Sequence, residues 1–256
     1  MDMGTSNRHG PLNRPHLYRS IGALVAGVGL ILTVTTCLWV RAAERESKLP
    51  ERPKAERMAE MARTLLAPVY PALAKQIVED TGITEGIGID LGCGSGELTI
   101  ELVRLTKLKI YALDLNPYAV AIAQRRITEA KIGDRAYAIW GDALNLPFKD
   151  NWADLVVSRG LIPFLPDKAG VFREAWRVLK PGGVAYIGGG FTRMLTPELV
   201  QKIVEESWGS LARLPLRYIP ANGLRWHLQA ANIVNYRIIE DQYPSGIYGR
   251  WVMFRK

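Results

Sequence analysis

Residues 88–96 read Gly-Ile-Asp-Leu-Gly-Cys-Gly-Ser-Gly, and this stretch decides most of what the sequence predicts. Apolar residues occupy every second position at Ile87, Ile89 and Leu91, a pattern typical of the end of a buried strand. Three glycines at alternate positions, 92, 94 and 96, follow directly. Residues 97–105 then carry apolar side chains at helical spacing. A glycine-rich turn between a strand and a helix N-terminus lets a ligand approach bare backbone amide groups. The stretch therefore predicts a ligand-binding turn at the edge of an α/β sheet.

The sequence after this turn predicts a parallel sheet. Strand-like runs follow at 108–114, 136–140, 154–158 and 184–187, and helical patterns separate them. The residues at 179–183, Leu-Lys-Pro-Gly-Gly, predict a tight turn before the last of these runs. The runs are apolar rather than alternating, which is typical of parallel strands that helices cover on both faces.

The C-terminal end follows a different pattern. Two strand-like runs at 236–241 and 247–254 are joined by Pro-Ser-Gly at 244–246, which leaves no room for a crossover helix. Two strands that lie so close in the chain pair antiparallel or stay apart. The sequence thus predicts a Rossmann-like α/β domain that ends in an antiparallel hairpin.

Charge is distributed unevenly along the 256 residues, whose formal net charge is +8. Residues 58–200 hold 16 basic and 16 acidic side chains, so the excess lies in residues 1–57 and 201–256. A nucleic-acid enzyme more often carries a basic stripe on the domain itself, so a nucleic-acid partner is not expected. The two cysteines, Cys37 and Cys93, form no cluster with histidine at metal-ligand spacing, and we expect no metal.

The N-terminal quarter predicts a membrane anchor. After a tail at 1–20, residues 21–40 contain no charge, and a helix of that length spans the hydrocarbon core of a bilayer. A charged linker or exposed helix at 41–57 leads to the catalytic domain at 58–256. A cleaved signal peptide or a lipidated form are the alternatives. Basic residues are more frequent on the C-terminal side of the anchor, which predicts a single-pass protein whose domain faces the cytoplasm.

Gly-x-Gly-x-Gly preceded by Asp90 resembles motif I of the class I S-adenosylmethionine (SAM) dependent methyltransferases. The nicotinamide fingerprint would instead need a glycine at Glu97. The resemblance covers roughly residues 65–256 and implies a seven-stranded, mostly parallel sheet with SAM as cofactor. The helical pattern at 58–78 is of the kind that often closes over a SAM pocket in this family. Because SAM is an intracellular cofactor, the resemblance agrees with the predicted orientation.

The resemblance assigns roles to residues that follow the strands. Asp90 would orient the turn and help to bind the methionine ammonium group, and Asp114 would accept hydrogen bonds from the ribose hydroxyls. Asp142 would contact the adenine amino group, with Ala143 packed beside the base. Asp114 could instead cap the next helix, and Asp142 could be only a turn former. The full predicted cofactor set is Asp90, Gly92, Cys93, Gly94, Gly96, Asp114, Leu115, Asn116, Asp142, Ala143 and Ser158.

Methyl transfer from a sulfonium is an in-line displacement that depends mainly on positioning, so the sequence need not contain a catalytic residue. His227 is a candidate base, although it could equally be a solvated histidine on an amphipathic helix. Arg159 could hold an anionic acceptor or form a structural ion pair. The residues at 158–164, Ser-Arg-Gly-Leu-Ile-Pro-Phe, lack the Pro-Pro-aromatic motif of base N-methyltransferases.

The likeness to quinone-biosynthesis methyltransferases and the anchor together predict a small-molecule or lipid acceptor. Further candidates to line the acceptor side are Phe164, Phe191, Arg193 and Trp226. Two other functions stay open: methylation of protein or RNA, and a non-catalytic protein that binds SAM or a partner. The sequence makes no prediction of the oligomeric state.

Overall fold

The computed structural model describes residues 52–211, 220–244 and 246–256. The predicted tail, the predicted anchor at 21–40 and most of the predicted linker lie outside these residues. None of the helices in the described part of the chain is both long enough and apolar enough to span a membrane.

The described chain alternates helices and strands in the predicted manner. The helices are α1 (Arg52–Arg63), α2 (Val69–Thr81), α3 (Glu97–Leu105), α4 (Pro117–Glu129), α5 (Lys168–Val178), α6 (Pro197–Leu211) and α7 (Ala221–Ala230), with a 3-10 turn at Ile162–Phe164. The strands are β1 (Glu85–Leu91), β2 (Lys107–Asp114), β3 (Ala136–Trp140), β4 (Ala153–Arg159), β5 (Leu179–Gly190), β6 (Tyr236–Tyr243) and β7 (Gly246–Arg255).

The strands form one seven-stranded sheet in the order β3-β2-β1-β4-β5-β7-β6. Strands β1 to β5 pair parallel, whereas β7 pairs antiparallel with both β5 and β6. The predicted mostly parallel sheet with an antiparallel C-terminal hairpin is thus confirmed. The strand order reverses beside β1, and ligands of open α/β sheets bind at the carboxyl ends of the strands at such a point.

The core lies on both faces of the sheet because successive strand residues point to opposite sides. In β5, Ala185 and Ile187 belong to one buried cluster, which includes Phe172 of α5. The intervening residue Tyr186 belongs to the other cluster, which includes Leu73 of α2. Helices therefore cover both faces, as the apolar strand pattern predicts.

One local boundary differs from the prediction. The tight turn predicted at 179–183 is an irregular part of β5, where pairing with β4 jumps from Ala153–Leu179 to Leu155–Val184. Residues 41–57 are predicted to form a linker or an exposed helix, and the described part of this segment belongs to α1 (Arg52–Arg63), whose first turn tolerates Pro53. The described residues from 52 onward form one compact unit.

Candidate active site

The glycine turn joins β1 to α3 in a left-handed backbone conformation. Gly92, Gly94 and Gly96 have φ angles of 67°, 56° and 83°. The amide groups of Gly92 and Cys93 donate to the carbonyl of Leu113 at 2.8 and 3.0 Å, which ties the turn to the end of β2. A β-carbon added to Gly94 would meet nothing within 4 Å, whereas one on Gly92 would meet Leu161 at 2.9 Å. Gly94 therefore borders open space.

Asp114 at the end of β2 is hydrogen-bonded to the glycine turn. Its Oδ2 accepts from the amide of Gly94 at 2.9 Å, and its Oδ1 accepts from the amide of Asn116 at 2.9 Å. The cap of α4 is Asn116, whose side chain accepts from the amide of Tyr118 at 3.0 Å. Asp114 is therefore not the helix cap, and its carboxylate keeps acceptor sites for further donors. Its contact with ribose stays a prediction.

Asp90 is a buried carboxylate, with 2% of its surface exposed. The hydroxyl of Thr99, on α3, donates to its Oδ2 at 2.7 Å. Burial raises the pKa of Asp90 to about 7, and the nearby Asp114 adds to this effect. Among the described side chains, none forms an ion pair with Asp90. Because an unpaired buried carboxylate is costly, the site is suited to a cationic ligand.

Tyr70 and Arg159 form a wall beside Asp90. The guanidinium carbon of Arg159 lies 5.1 Å from the ring centroid of Tyr70, and its Nη1 lies 3.5 Å from the phenol oxygen. Its Nε donates to the carbonyl of Gly190 at 3.2 Å. Burial raises the pKa of Tyr70, and the carboxylates of Glu97 and Asp90 raise it further. The phenol is thus influenced by both acids, and the role of Arg159 on the acceptor side stays a prediction.

Asp142 follows β3 and forms the turn that its residue type favours. Its Oδ1 accepts from the amide of Leu144 at 2.9 Å, and Ala143 beside it is buried. The loops after β2 and β3 are joined, because the amide of Gly141 donates to the carbonyl of Asp114 at 3.0 Å. Leu115, in the first of these loops, is exposed. The two loops could form an adenine cleft, and that role stays a prediction.

Two predicted cofactor residues have structural contacts. The hydroxyl of Ser158 is buried and donates to the carbonyl of Leu91 at 2.8 Å, which ties the end of β4 to that of β1. Burial raises the pKa of Cys93 well above its usual value, so the thiol stays protonated. The raised pKa disfavours the thiolate form that a nucleophilic cysteine needs.

The other acceptor-side candidates lie in separate surroundings. His227 on α7 has a buried Nδ1 without a hydrogen-bond partner in the described part of the chain, and burial lowers its pKa. Its charged neighbours are Lys168 and Asp167 at the start of α5, and no described contact joins it to Asp90 or Tyr70. Arg193 forms a structural ion pair with Asp80 at 2.8 Å. Of the remaining candidates, Phe191 is buried, whereas Phe164 and Trp226 are exposed.

Known proteins match both this sequence and this fold. A family described as a methyltransferase domain matches residues 89–187. A solved structure from Methanococcus maripaludis, described as an S-adenosyl-L-methionine-dependent methyltransferase, is 36% identical, with a TM-score of 0.73. That match covers 80% of this chain and 93% of the other. The chain belongs to the class I SAM-dependent methyltransferase family.

Curated relatives of this methyltransferase match over shorter stretches. Demethylmenaquinone methyltransferase of Lactiplantibacillus plantarum is 40% identical over 96 residues, which is 37% of this chain and 40% of that protein. Sterol 24-C-methyltransferase of Aspergillus fumigatus is 34% identical over 121 residues, which is 46% of this chain and 32% of that protein. The matched part of the chain thus spans less than half the length of either relative.

SAM is the cofactor of this family, and the residues of the glycine turn fit it. The buried carboxylate of Asp90 suits the ammonium group, and the acceptor sites left on Asp114 suit the ribose hydroxyls. The open space beside Gly94 leaves room for the ligand to contact the backbone. Sequence reasoning did not identify Tyr70 or Thr99 as parts of this site. Tyr70 is contributed by a helix that packs over the end of β4, and no local motif marks it.

Proposed function

We propose that this methyltransferase transfers a methyl group from SAM to a lipophilic small molecule. The observation that carries the cofactor part of the proposal is the buried carboxylate of Asp90, which lies at the glycine turn without a described cationic partner. SAM supplies a methyl group on a cationic sulfur, together with a cationic amino group. Asp90 provides a negative charge for the amino group, and Asp114 and Gly94 fix the turn on which the cofactor would lie.

The chain's own contribution is to position and enclose the reacting groups. Tyr70 is contributed by α2, and the guanidinium group of Arg159 lies over its ring. Arg159 is itself oriented by the carbonyl of Gly190, so the wall is fixed before an acceptor binds. Holding an acceptor in line within about 3–3.5 Å of the methyl group can supply about 7–11 kcal/mol of the barrier reduction.

The relatives support a lipophilic acceptor. Two of them are named for a menaquinone precursor and for a sterol, and both acceptors are largely apolar molecules. Residues 158–164 also lack the Pro-Pro-aromatic motif that enzymes methylating nucleic-acid bases usually carry. Both observations favour a small molecule over a nucleic-acid base.

Residues 21–40 are proposed to anchor the protein as a single membrane span, with the methyltransferase domain on the cytoplasmic side. The support is the uncharged stretch itself and the basic residues that follow it. The domain would then lie next to the phase in which a lipophilic acceptor dissolves. Protease digestion of closed membrane vesicles tests this, because a domain cleaved only from the cytoplasmic face agrees with the proposal and a domain protected from that face contradicts it.

The acceptor class is tested by transfer of labelled methyl from SAM. Purified full-length protein is incubated with membrane and soluble extracts of its host, and the products are divided among organic solvent, water and precipitated macromolecule. We expect label in the organic phase with wild-type protein and none above background with Asp114→Ala. Label confined to the aqueous phase or the precipitate would contradict a lipophilic acceptor.

A further inference from the structure

A cavity of about 840 Å³ lies between α1 and α4. This volume is typical of a small-molecule pocket. None of the predicted cofactor residues lines the cavity. Its wall carries five arginines, which are Arg52, Arg57, Arg63, Arg125 and Arg126.

The cavity is a local concentration of arginine side chains. Five arginines are accompanied by two glutamates in the lining, Glu56 and Glu60, and two further carboxylates, Glu97 and Glu129, pair with Arg126 and Arg125. The arginines therefore exceed the neighbouring carboxylates by one. A concave surface with this excess attracts an anion more strongly than a flat surface does.

Three of the arginines, Arg52, Arg63 and Arg125, are held by exposed ion pairs within their own helices. Arg52 pairs with Glu56 at 3.0 Å, and Arg125 pairs with Glu129 at 3.7 Å; more than half of each side chain is exposed. Exposed pairs of this kind contribute at most about 1 kcal/mol. A ligand with two or three anionic oxygens can therefore replace these carboxylates. The planar guanidinium group binds phosphate oxygens in a bidentate manner, which is why the charge favours a phosphate group.

The lining also has an apolar part. Ala59 is buried, Ala121 and Ile122 lie on the facing helix, and Tyr118 presents an exposed ring. An apolar wall beside a cluster of guanidinium groups suits a molecule that has a phosphate at one end and a hydrocarbon at the other.

The inner wall of the cavity adjoins the cofactor turn. Arg126 forms an ion pair with Glu97 at 3.0 Å, and the hydroxyl of Ser95 lies 3.5 Å from the other oxygen of Glu97. Burial raises the pKa of Glu97, and Arg126 and Arg63 act against this rise. One side of the cavity is therefore in contact with the first turn of α3, whereas the rim with Arg57 and Arg125 has no such contact described.

We propose that the arginine-lined cavity between α1 and α4 binds the phosphate group of an amphiphilic ligand, at a site distinct from the cofactor site. The shared chemistry is a phosphate ester at the rim, and its source is either a membrane lipid headgroup or a free phosphate compound. This proposal is independent of the acceptor class proposed above.

The test measures ligand binding by full-length protein in detergent solution, at an ionic strength kept constant with potassium chloride. The probes are inorganic phosphate and dihexanoyl phosphatidic acid, and the readout is a dissociation constant. Arg57→Gln/Arg125→Gln removes two charges from the rim. The matched control, Arg104→Gln/Lys202→Gln, removes two exposed helical charges whose partners are Glu101 and Glu206, outside the cavity.

We expect wild-type and control proteins to bind phosphatidic acid with equal affinity, and the rim variant to bind at least tenfold more weakly. If the rim variant also loses affinity for inorganic phosphate, the phosphate group is sufficient for recognition and a hydrocarbon chain is not required. Arginine-dependent binding of phosphatidic acid only would identify a lipid source. Equal affinity of the rim and control variants for phosphatidic acid would overturn the proposal. Displacement of either probe by S-adenosylhomocysteine would also overturn it, because the probe would then occupy the cofactor site.

Discussion

Asp90 is both a buried residue of the fold and a proposed ligand-binding residue. Its carboxylate is buried at the end of β1 and receives one described hydrogen bond from a side chain, that of Thr99. Burial raises its pKa to about 7, so the folded protein without ligand binds a proton that the unfolded chain releases between about pH 4 and pH 7. The free energy of unfolding of the ligand-free protein therefore falls as the pH rises through this window.

Binding of S-adenosylhomocysteine should depend on pH through Asp90. The ammonium group of the ligand prefers the deprotonated carboxylate, so affinity should rise about tenfold between pH 6 and pH 8 if the pKa lies near 7. In Asp90→Asn, binding should be weaker and should lose this rise. Calorimetric titration at both pH values measures the effect, and an equally steep rise in the variant would show that another group is responsible.

Tyr70 contributes a hydroxyl group whose loss should affect catalysis rather than stability. Tyr70→Phe keeps the ring against which the Arg159 guanidinium lies. We expect kcat/KM for methyl transfer to fall at least about tenfold, which corresponds to about 1.4 kcal/mol of transition-state stabilisation, because the hydroxyl would no longer help to position the reacting groups. Tyr137→Phe is the matched control, because that hydroxyl bonds only the carbonyl of Asp134 at the surface. An unchanged kcat/KM in Tyr70→Phe would remove Tyr70 from the site.

The glycine turn is the element that the sequence predicts best. The strand, the three glycines and the following helix all lie where the local pattern places them, because each depends on residues close together in the chain. The Tyr70–Arg159 wall is not predictable in this way. It joins residues 89 positions apart, and only the packing of α2 over the end of β4 brings them together. The start of β5 at Leu179 is similar, since it depends on pairing with β4 across an irregular register.

Substitution of Gly94 should separate the role of the turn in binding from its role in folding. Gly94 has a φ of 56°, and a β-carbon there would meet nothing within 4 Å. Gly94→Ala should therefore lower the free energy of unfolding by about 1–2 kcal/mol, as expected for a left-handed residue, while filling the space proposed for the cofactor.

The matched control for this substitution is Gly82→Ala. Gly82 ends α2 with a φ of 71°, and it too has no atom within 4 Å of an added β-carbon. Chemical denaturation should give the two variants similar losses of stability. Only Gly94→Ala should lose affinity for S-adenosylhomocysteine, and a similar loss in Gly82→Ala would mean that binding responds to stability alone.

The whole molecule combines a family fold with features that the family alone does not determine. The sheet order, the cofactor turn and the C-terminal hairpin are those of a class I methyltransferase. The arginine-lined cavity between α1 and α4 could not be predicted from sequence, because its residues come from two helices. In the sequence, its five arginines are indistinguishable from ordinary surface charges, because only the packing of α1 beside α4 places them on one surface.

The central claim is that the turn at Gly92–Gly96 and the carboxylate of Asp114 hold the cofactor. Calorimetry of full-length wild-type protein and Asp114→Ala, each titrated with S-adenosylhomocysteine and its 2′-deoxy analogue, tests it most directly. We predict that wild-type protein binds S-adenosylhomocysteine at least tenfold more tightly than the analogue, and that Asp114→Ala binds both weakly and without preference. Equal affinity of the two proteins for S-adenosylhomocysteine would contradict the account.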